Sequence, residues 1–347
     1  MKRSVLRQPG LYLTAAIVLT LMFALPAVSN MFTVMQTTQY VVLAIFSLSL
    51  AYIWGFCGIL SFGQAAFFGL GAYTFAVSSI NFEETTFAFV LACIIPGIFG
   101  LIVGYFMFYG RLSDVTLGVV TMVISLIFWK VANHTAGPEY KIGKALLGGY
   151  NGIPSIPTLT IPGQPDTPLD PVQMFQFFML LLLVVYVGLK LLVASPYGRL
   201  MIGIRENETR ASLLGYDVRL NKVIGFSIGS AIAGMAGGMW ATYQSFIDPN
   251  VFSLEMSAKA LVWVLAGGVG TLVGPLMAAV GLQWLTLKLG TMELVNSIAI
   301  LGAIMIVLVM VLPRGVVPSI LGLAEGFKAR CRSQTDAKPA PIAESKP

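Results

Sequence analysis

SAKALVWVLAGGVGTLVGPLMAAVGLQWLTLK, residues 257–288, is mainly apolar between Lys259 and Lys288 yet carries Gly267, Gly268, Gly270, Gly274 and Pro275 at its centre. About 20 apolar residues cross a bilayer as a helix. Glycine loosens the backbone and proline removes a helical donor, so this stretch does not read as one straight span. It predicts two short helices or a re-entrant hairpin over 258–290. Outward from it the chain is a succession of apolar runs, at about 11–28, 40–60, 62–80, 86–109, 115–131, 172–194, 223–246 and 294–312. The run at 11–28, behind Lys2, Arg3 and Arg7, has the form of a secretory signal, but with so many runs after it we read it as a retained first span. Of the 347 residues 57% are hydrophobic and 10% charged, against about 25% charged in soluble domains. That composition excludes a soluble globule. The expected fold is an all-α polytopic integral membrane protein with about 8–10 transmembrane helices and two glycine-broken segments in pseudo-repeated halves.

Charge placement sets the orientation, because Lys and Arg collect on the cytoplasmic side. With the N-terminus inside, Arg111 and the basic stretch at 195–222 fall inside, while Glu83, Glu84 and the proline-rich loop at 133–171 fall outside. The basic residues of the tail, Arg314, Lys328, Arg330, Arg332, Lys338 and Lys346, belong inside only if 258–290 turns back. The expected division is therefore a membrane domain over 1–315 and a cytoplasmic, disordered tail over 316–347.

The first half holds a counterpart of the broken segment. AYIWGFCGILSFGQAAFFGLGA from Ala51 and ALVWVLAGGVGTLVGPLMAAVG from Ala260 share Trp at the fourth position and Gly at the eighth. Irregular backbone in a membrane is tolerated where it is buried or lines a cavity. One reading makes Ser61, Gly63, Gln64, Gly267, Gly268, Gly270, Thr271, Gly274 and Pro275 the lining of a translocation pathway, with Gln283 as a further scattered polar group. The other makes the glycines close-packing positions. Gly225, Gly229, Ala233, Gly237 and Ala241, spaced by four, read as a helix-packing face.

Chemistry-bearing motifs are few. Cys57, Cys93 and Cys331 offer neither a disulfide pair nor metal-ligand spacing, and the lone His134 is read as a loop residue beside Asn133, so no catalytic or metal site and no cofactor is expected. GPEYKIGKA from Gly137 has five residues between its glycines where a phosphate loop needs four. LLGGY from Leu146 hints at an ATPase signature but falls in the external loop. The basic residues lie between apolar runs and at the ends, which excludes nucleic acid as a partner and leaves membrane lipid as the surroundings. Lys130, Lys190, Lys259 and Lys288 sit at span ends, and span interiors carry almost no carboxylates, unlike an ion-driven carrier. Energy is therefore expected from a partner, docked on Arg199, Arg205, Glu206, Asn207, Glu208, Ala211 and Gly215. There Ala211 and Gly215 would share one face of a short helix at i and i+4. The alternative is a solvated loop that only obeys the charge rule.

SFGQAAFFGLGAY at Ser61, GIRENETRASLLGYDVRLNK at Gly203, IAGMAGGMWATYQSFIDPNVFS at Ile232 and the broken segment itself together resemble the branched-chain amino acid ABC transporter permeases of the LivM type, from about residue 40 to 315. The resemblance implies an inner-membrane importer subunit without catalytic residues of its own. It also implies as partners a second, LivH-like permease, two cytoplasmic ATPases and a periplasmic solute-binding protein. It places the ATPase-contacting loop on Arg199 to Gly215. GGYNGIP at Gly148 resembles the family's glycine-rich stretch, whereas the preceding VANHTAGPEYKIGKALL is longer and more basic. Urea and amide permeases belong to the same family, so the solute stays open between these classes; an ion-coupled carrier is the more distant alternative.

Overall fold

The computed structural model describes residues 9–161 and 164–290, together with residues 302 and 315. The expected span at 294–312, the tail at 316–347 and Cys331 lie outside the described residues. In chain order the described helices are α1 (Pro9–Val28), α2 (Met31–Gly55), α3 (Gln64–Phe82), α4 (Thr85–Tyr109), α5 (Asp114–His134), α6 (Pro171–Ala194), α7 (Pro196–Glu206), α8 (Glu208–Leu213), α9 (Val218–Gln244), α10 (Leu254–Gly267) and α11 (Val273–Gly290). Six of them, α2 to α6 and α9, are long and apolar enough to cross a membrane. The chain is an all-α polytopic membrane protein.

Local sequence sets the helix ends. Ser113 accepts from the Thr116 amide to cap α5, Ser195 does the same for α7 with Pro196 at the first helical position, Asp217 caps α9, and Ser253 caps α10. Each satisfies one of the amides a helix start leaves unpaired. Two boundaries differ from the sequence reading. α2 begins at Met31, well before residue 40, because Thr37 and Thr38 turn their hydroxyls back onto the carbonyls of Thr33 and Val34 at 2.7 and 2.8 Å, so polar residues there do not interrupt it. His134 is the last residue of α5, not part of a loop.

α9 runs through the centre of the bundle against α4, α3 and α2, while α6 and α11 flank α2, α1 lies on α6, and α5 leans on α3. The small-residue face of α9 makes this possible. All five of its residues are buried. A Cβ on Gly237 would stand 1.8 Å from the Phe68 carbonyl oxygen, and one on Gly229 would stand 2.2 Å from Ile53. α4 answers with Gly97 and Gly100, whose Cβ positions meet Ala231 at 3.1 Å and Ser230 at 2.4 Å. Helices in lipid lack a hydrophobic drive toward one another, so close backbone approach supplies the association. On the outer surface α5 exposes Val115, Val119, Val123 and Ile127 at a spacing of four, an apolar stripe suited to lipid.

The 257–288 stretch divides as expected: α10 and α11 are separate helices, packed against each other and against α2, with residues 268–272 between them. The proline-rich loop at 133–171 carries short antiparallel pairs, β1 (Lys141–Ile142) with β2 (Ala145–Leu146), β3 (Ile153–Pro154) with β6 (Phe246–Ile247), and β4 (Thr160–Ile161) with β5 (Gln164–Pro168). This loop therefore gathers at the end of the bundle where α9 finishes, and Asn81, Glu83 and Thr85 at the α3–α4 turn bind it there. The turn at Arg111 and helices α7 and α8 gather at the opposite end, around the start of α9.

Candidate functional site

The first helix break follows α2. Gly55 ends that helix, Gly58 turns the chain at φ 72°, and residues 59–63 enter the bundle. The Phe62 amide donates to Thr121 Oγ1 at 3.2 Å, and the Ala65 amide donates to Ser257 Oγ at 3.1 Å. Gln64, wholly buried at the start of α3, donates from Nε2 to Ser49 Oγ at 2.9 Å and to the Gly229 carbonyl at 3.5 Å. Its Oε1 and the buried hydroxyl of Ser61 take no hydrogen bond among the described residues. An unsatisfied buried polar atom costs about 1–3 kcal/mol, and the hydroxyls of Tyr40 and Tyr73 share this condition elsewhere in the bundle.

The second break lies between α10 and α11. Gly268 and Gly270 adopt φ 108° and 90°, Thr271 closes the turn by donating its hydroxyl to the Gly268 carbonyl at 2.9 Å, and Ser47 of α2 donates to the Pro275 carbonyl at 3.2 Å. The two breaks touch. A Cβ on Gly55 would lie 2.8 Å from the Gly270 amide nitrogen. The Arg205 guanidinium, from α7, donates to the Gly55 carbonyl beside them.

Of the residues singled out for a pathway, the structure sets Gly63 against Thr121 of α5 and Gln64 against Ser49 of α2 and Gly229 of α9, packs Gly267 and Gly274 on each other, brings Pro275 to Ser47 of α2, and buries Ser61 and Gly268. Gly270 and Thr271 are half-buried. Gly63 and the Gly267/Gly274 pair have no room for a side chain: their Cβ positions fall 1.7 Å from the Thr121 oxygen and 2.1 Å from facing backbone. Close packing is thus what these three glycines do, while the Ser61 hydroxyl and Gln64 Oε1 take no bond among the described residues.

At the end of the bundle beside Arg111, α7 and α8 form the charged segment. Arg199 donates to the Ala194 carbonyl at 3.1 Å and so caps α6, and Asn207 Oδ1 accepts from the Arg210 amide at 2.8 Å to start α8. Glu208 pairs with Lys222, whose side chain is buried and also faces the Phe108 ring. A buried ammonium without a partner is costly, which fixes α8 on α9. Here one expectation is corrected: Ala211 and Gly215 do not share a helix face. α8 ends at Leu213, and Gly215 at φ 87° terminates it, with the Gly215 amide donating to the Ser212 carbonyl and the Tyr216 amide to the Ala211 carbonyl. Glycine at this spacing serves a left-handed helix end as readily as a flat helix face. Ala211 turns inward instead and is buried.

At its end α8 shows apolar side chains beside its exposed Glu208, Thr209, Arg210 and Ser212: Leu213 and, just past the helix, Leu214 are 83% and 71% exposed, with Tyr216 beside them. Leu214 and Tyr216 border a cleft of about 420 Å³ whose charged and polar walls include Arg199, Glu206, Asn207 and Arg210. Sequence reasoning passed over these three residues, though Leu-Leu inside the most highly charged internal stretch was the available signal. At the other end Lys144 stands 2.6 Å from Glu83 and holds its carboxyl below the usual glutamate range. That tether persists above the ordinary glutamate range and is released as the pH falls through the lowered value.

A polytopic helical bundle with two touching helix breaks, a folded loop at one end and a charged segment with an apolar tip at the other has the makings of a membrane permease. Residues 32–312 match the family described as branched-chain amino acid transport system / permease component, and the chain belongs to that family. The high-affinity branched-chain amino acid transport system permease protein LivM of Escherichia coli (strain K12) is 29% identical over 338 residues, covering 89% of this chain and 75% of that protein. Its counterpart in Salmonella typhimurium is 29% identical over 311 residues, covering 81% and 69%. A probable branched-chain amino acid transport permease protein LivM of Methanocaldococcus jannaschii is 26% identical over 260 residues, covering 65% and 72%. No solved structure matches the chain.

Proposed function

We propose that this permease is one of two membrane subunits of an ATP-binding-cassette importer that passes branched-chain amino acids from a periplasmic binding protein across the inner membrane. The observation that carries the reading is the apolar tip of α8, Leu213, Leu214 and Tyr216, beside a charged cleft at the end opposite the 135–170 loop. An exposed apolar cluster rimmed by polar groups marks a protein contact. In this reading residues 195–222 face the cytoplasm and receive an ATPase subunit, Arg199, Glu206, Asn207 and Glu208 shaping the seat while Arg205 turns away from it toward Gly55. The 135–170 loop faces the periplasm and the binding protein, and both termini are cytoplasmic. Solute crosses along the two breaks, past Ser61, Gln64, Gly270 and Thr271, when the ATPases close. The relatives' names supply the solute class; urea and amides are the alternative. Against ion coupling, no carboxylate is buried among the described residues.

Affinity purification of the tagged chain from its own membranes tests the assembly. The expected preparation contains a second permease of similar size and two ATPase subunits, which would also place the α7–α8 end in the cytoplasm. A transport-active chain purified without any ATPase would overturn the reading.

A further inference from the structure

We propose that Arg205 is the positioning residue through which the α7–α8 segment acts on both helix breaks at once. The proposal rests on the importer reading and adds to it the route by which a docked partner reaches the membrane interior. Arg205 stands in the last turn of α7. Its guanidinium donates to the carbonyl of Gly55, the last residue of α2, a group that the helix end leaves without an intrahelical partner. Its aliphatic stem fills the space beside Gly58: a Cβ there would come within 2.8 Å of Arg205 Cγ and 3.0 Å of its Cβ. Its Nη1 lies 3.6 Å from where a Gly270 Cβ would stand, and Gly270 itself touches Gly55. One side chain therefore bonds the end of α2, packs on the turn of the first break and lies beside the turn of the second, positions far apart in sequence.

The other end of α7 is tied elsewhere. Tyr197 donates its hydroxyl to the Asn221 carbonyl of α9 at 2.9 Å, and the Glu208–Lys222 pair holds α8 to the same helix. A displacement of α7 and α8 that pivots on α9 must move Arg205, and with it Gly55 and Gly270. Gly58 and Gly270 both sit at positive φ, a conformation glycine adopts at little cost, so the points on which Arg205 bears are the points where the backbone yields most readily. An arginine suits the role because its planar fork holds a carbonyl in a fixed direction while its stem stays packed.

The test uses the full complex, with its second permease, ATPases and binding protein, reconstituted in liposomes, and reads solute transported per ATP hydrolysed. Arg205→Ala is expected to lower that ratio about tenfold or more, the size of an ordinary coupling between sites. Gly58→Ala leaves Arg205 in place but intrudes on its stem, and is expected to lower the same ratio. Arg205→Lys, which still reaches the Gly55 carbonyl as a point donor, is expected to fall between wild type and alanine. A wild-type ratio in either Arg205→Ala or Gly58→Ala overturns the assignment, as does loss of the ATPases from the purified Arg205→Ala complex, which would make Arg205 a docking contact. Should Arg205→Ala fail to accumulate, Gly58→Ala alone decides. A wild-type complex that moves no solute under ATP overturns the importer reading, and this assignment with it.

Discussion

Replacing Leu213 and Leu214 together by aspartate is expected to leave the permease folded in its membrane and to strip it of its ATPases. Both side chains stand almost entirely in solvent, and exposed substitutions of that kind change stability by about 0.5 kcal/mol or less. At an interface the same change inserts charge where a partner must bury apolar surface. Fully burying a leucine side chain is worth about 1.5–3 kcal/mol, and every 1.4 kcal/mol is about tenfold in affinity. Loss of both should weaken docking by about a hundredfold or more and bring ATP-driven uptake to background. Gly188→Ala, on an exposed face of α6 outside this segment and with no atom within 4 Å of its added carbon, is the control and should transport normally. Copurification of the ATPases with the double aspartate variant at wild-type yield would mean that α8 is a solvated tether.

Gly267→Val is expected to be the most damaging change to the fold itself. Its Cβ would lie 2.1 Å from the Gly274 carbonyl carbon and 2.2 Å from the Pro275 nitrogen, and a Cβ on Gly274 would in turn lie 2.1 Å from the Gly267 oxygen. Backbone on both sides leaves no flexible side chain to give way. Overpacking in a tight core costs about 1–3 kcal/mol where neighbours can shift, and more where they cannot. The variant should accumulate poorly and melt well below wild type in detergent. Gly281→Val, one helix further along on an open face of α11, should be tolerated. Equal stability of the two would remove the tight α10–α11 hairpin from the account.

The broken hairpin was legible in the sequence because its cause is local: Gly267, Gly268, Gly270 and Pro275 are themselves what interrupts the helix. The packing face of α9 was legible for a similar reason, since Gly225, Gly229, Ala233, Gly237 and Ala241 repeat at the helical period and each meets a neighbour closely or is buried. Gly215 was misread because a spacing of four serves a helix face and a helix end alike, and only the φ of 87° separates them. The start of α2 was placed too late because the back-bonding of Thr37 and Thr38 conceals their polarity. The meeting of Gly55 with Gly270, the pairing of Ile153 with Ile247, and the reach of Arg205 joined residues so far apart in the chain that no periodicity could announce them. Leu213 and Leu214 were visible all along, but among so many leucines they stood out only once the structure placed them outside the apolar bundle.

Uptake into proteoliposomes separates an ATP-driven importer from an ion-driven carrier. The permease, its copurifying membrane partner and ATPases, and the loaded binding protein would be combined with ATP on the ATPase side and radiolabelled leucine, isoleucine or valine on the other. We predict accumulation that requires ATP and the binding protein and is indifferent to collapse of proton and sodium gradients. Accumulation driven by an ion gradient without ATP would contradict the account, and ATP-driven uptake of urea or an amide in place of these amino acids would contradict its solute.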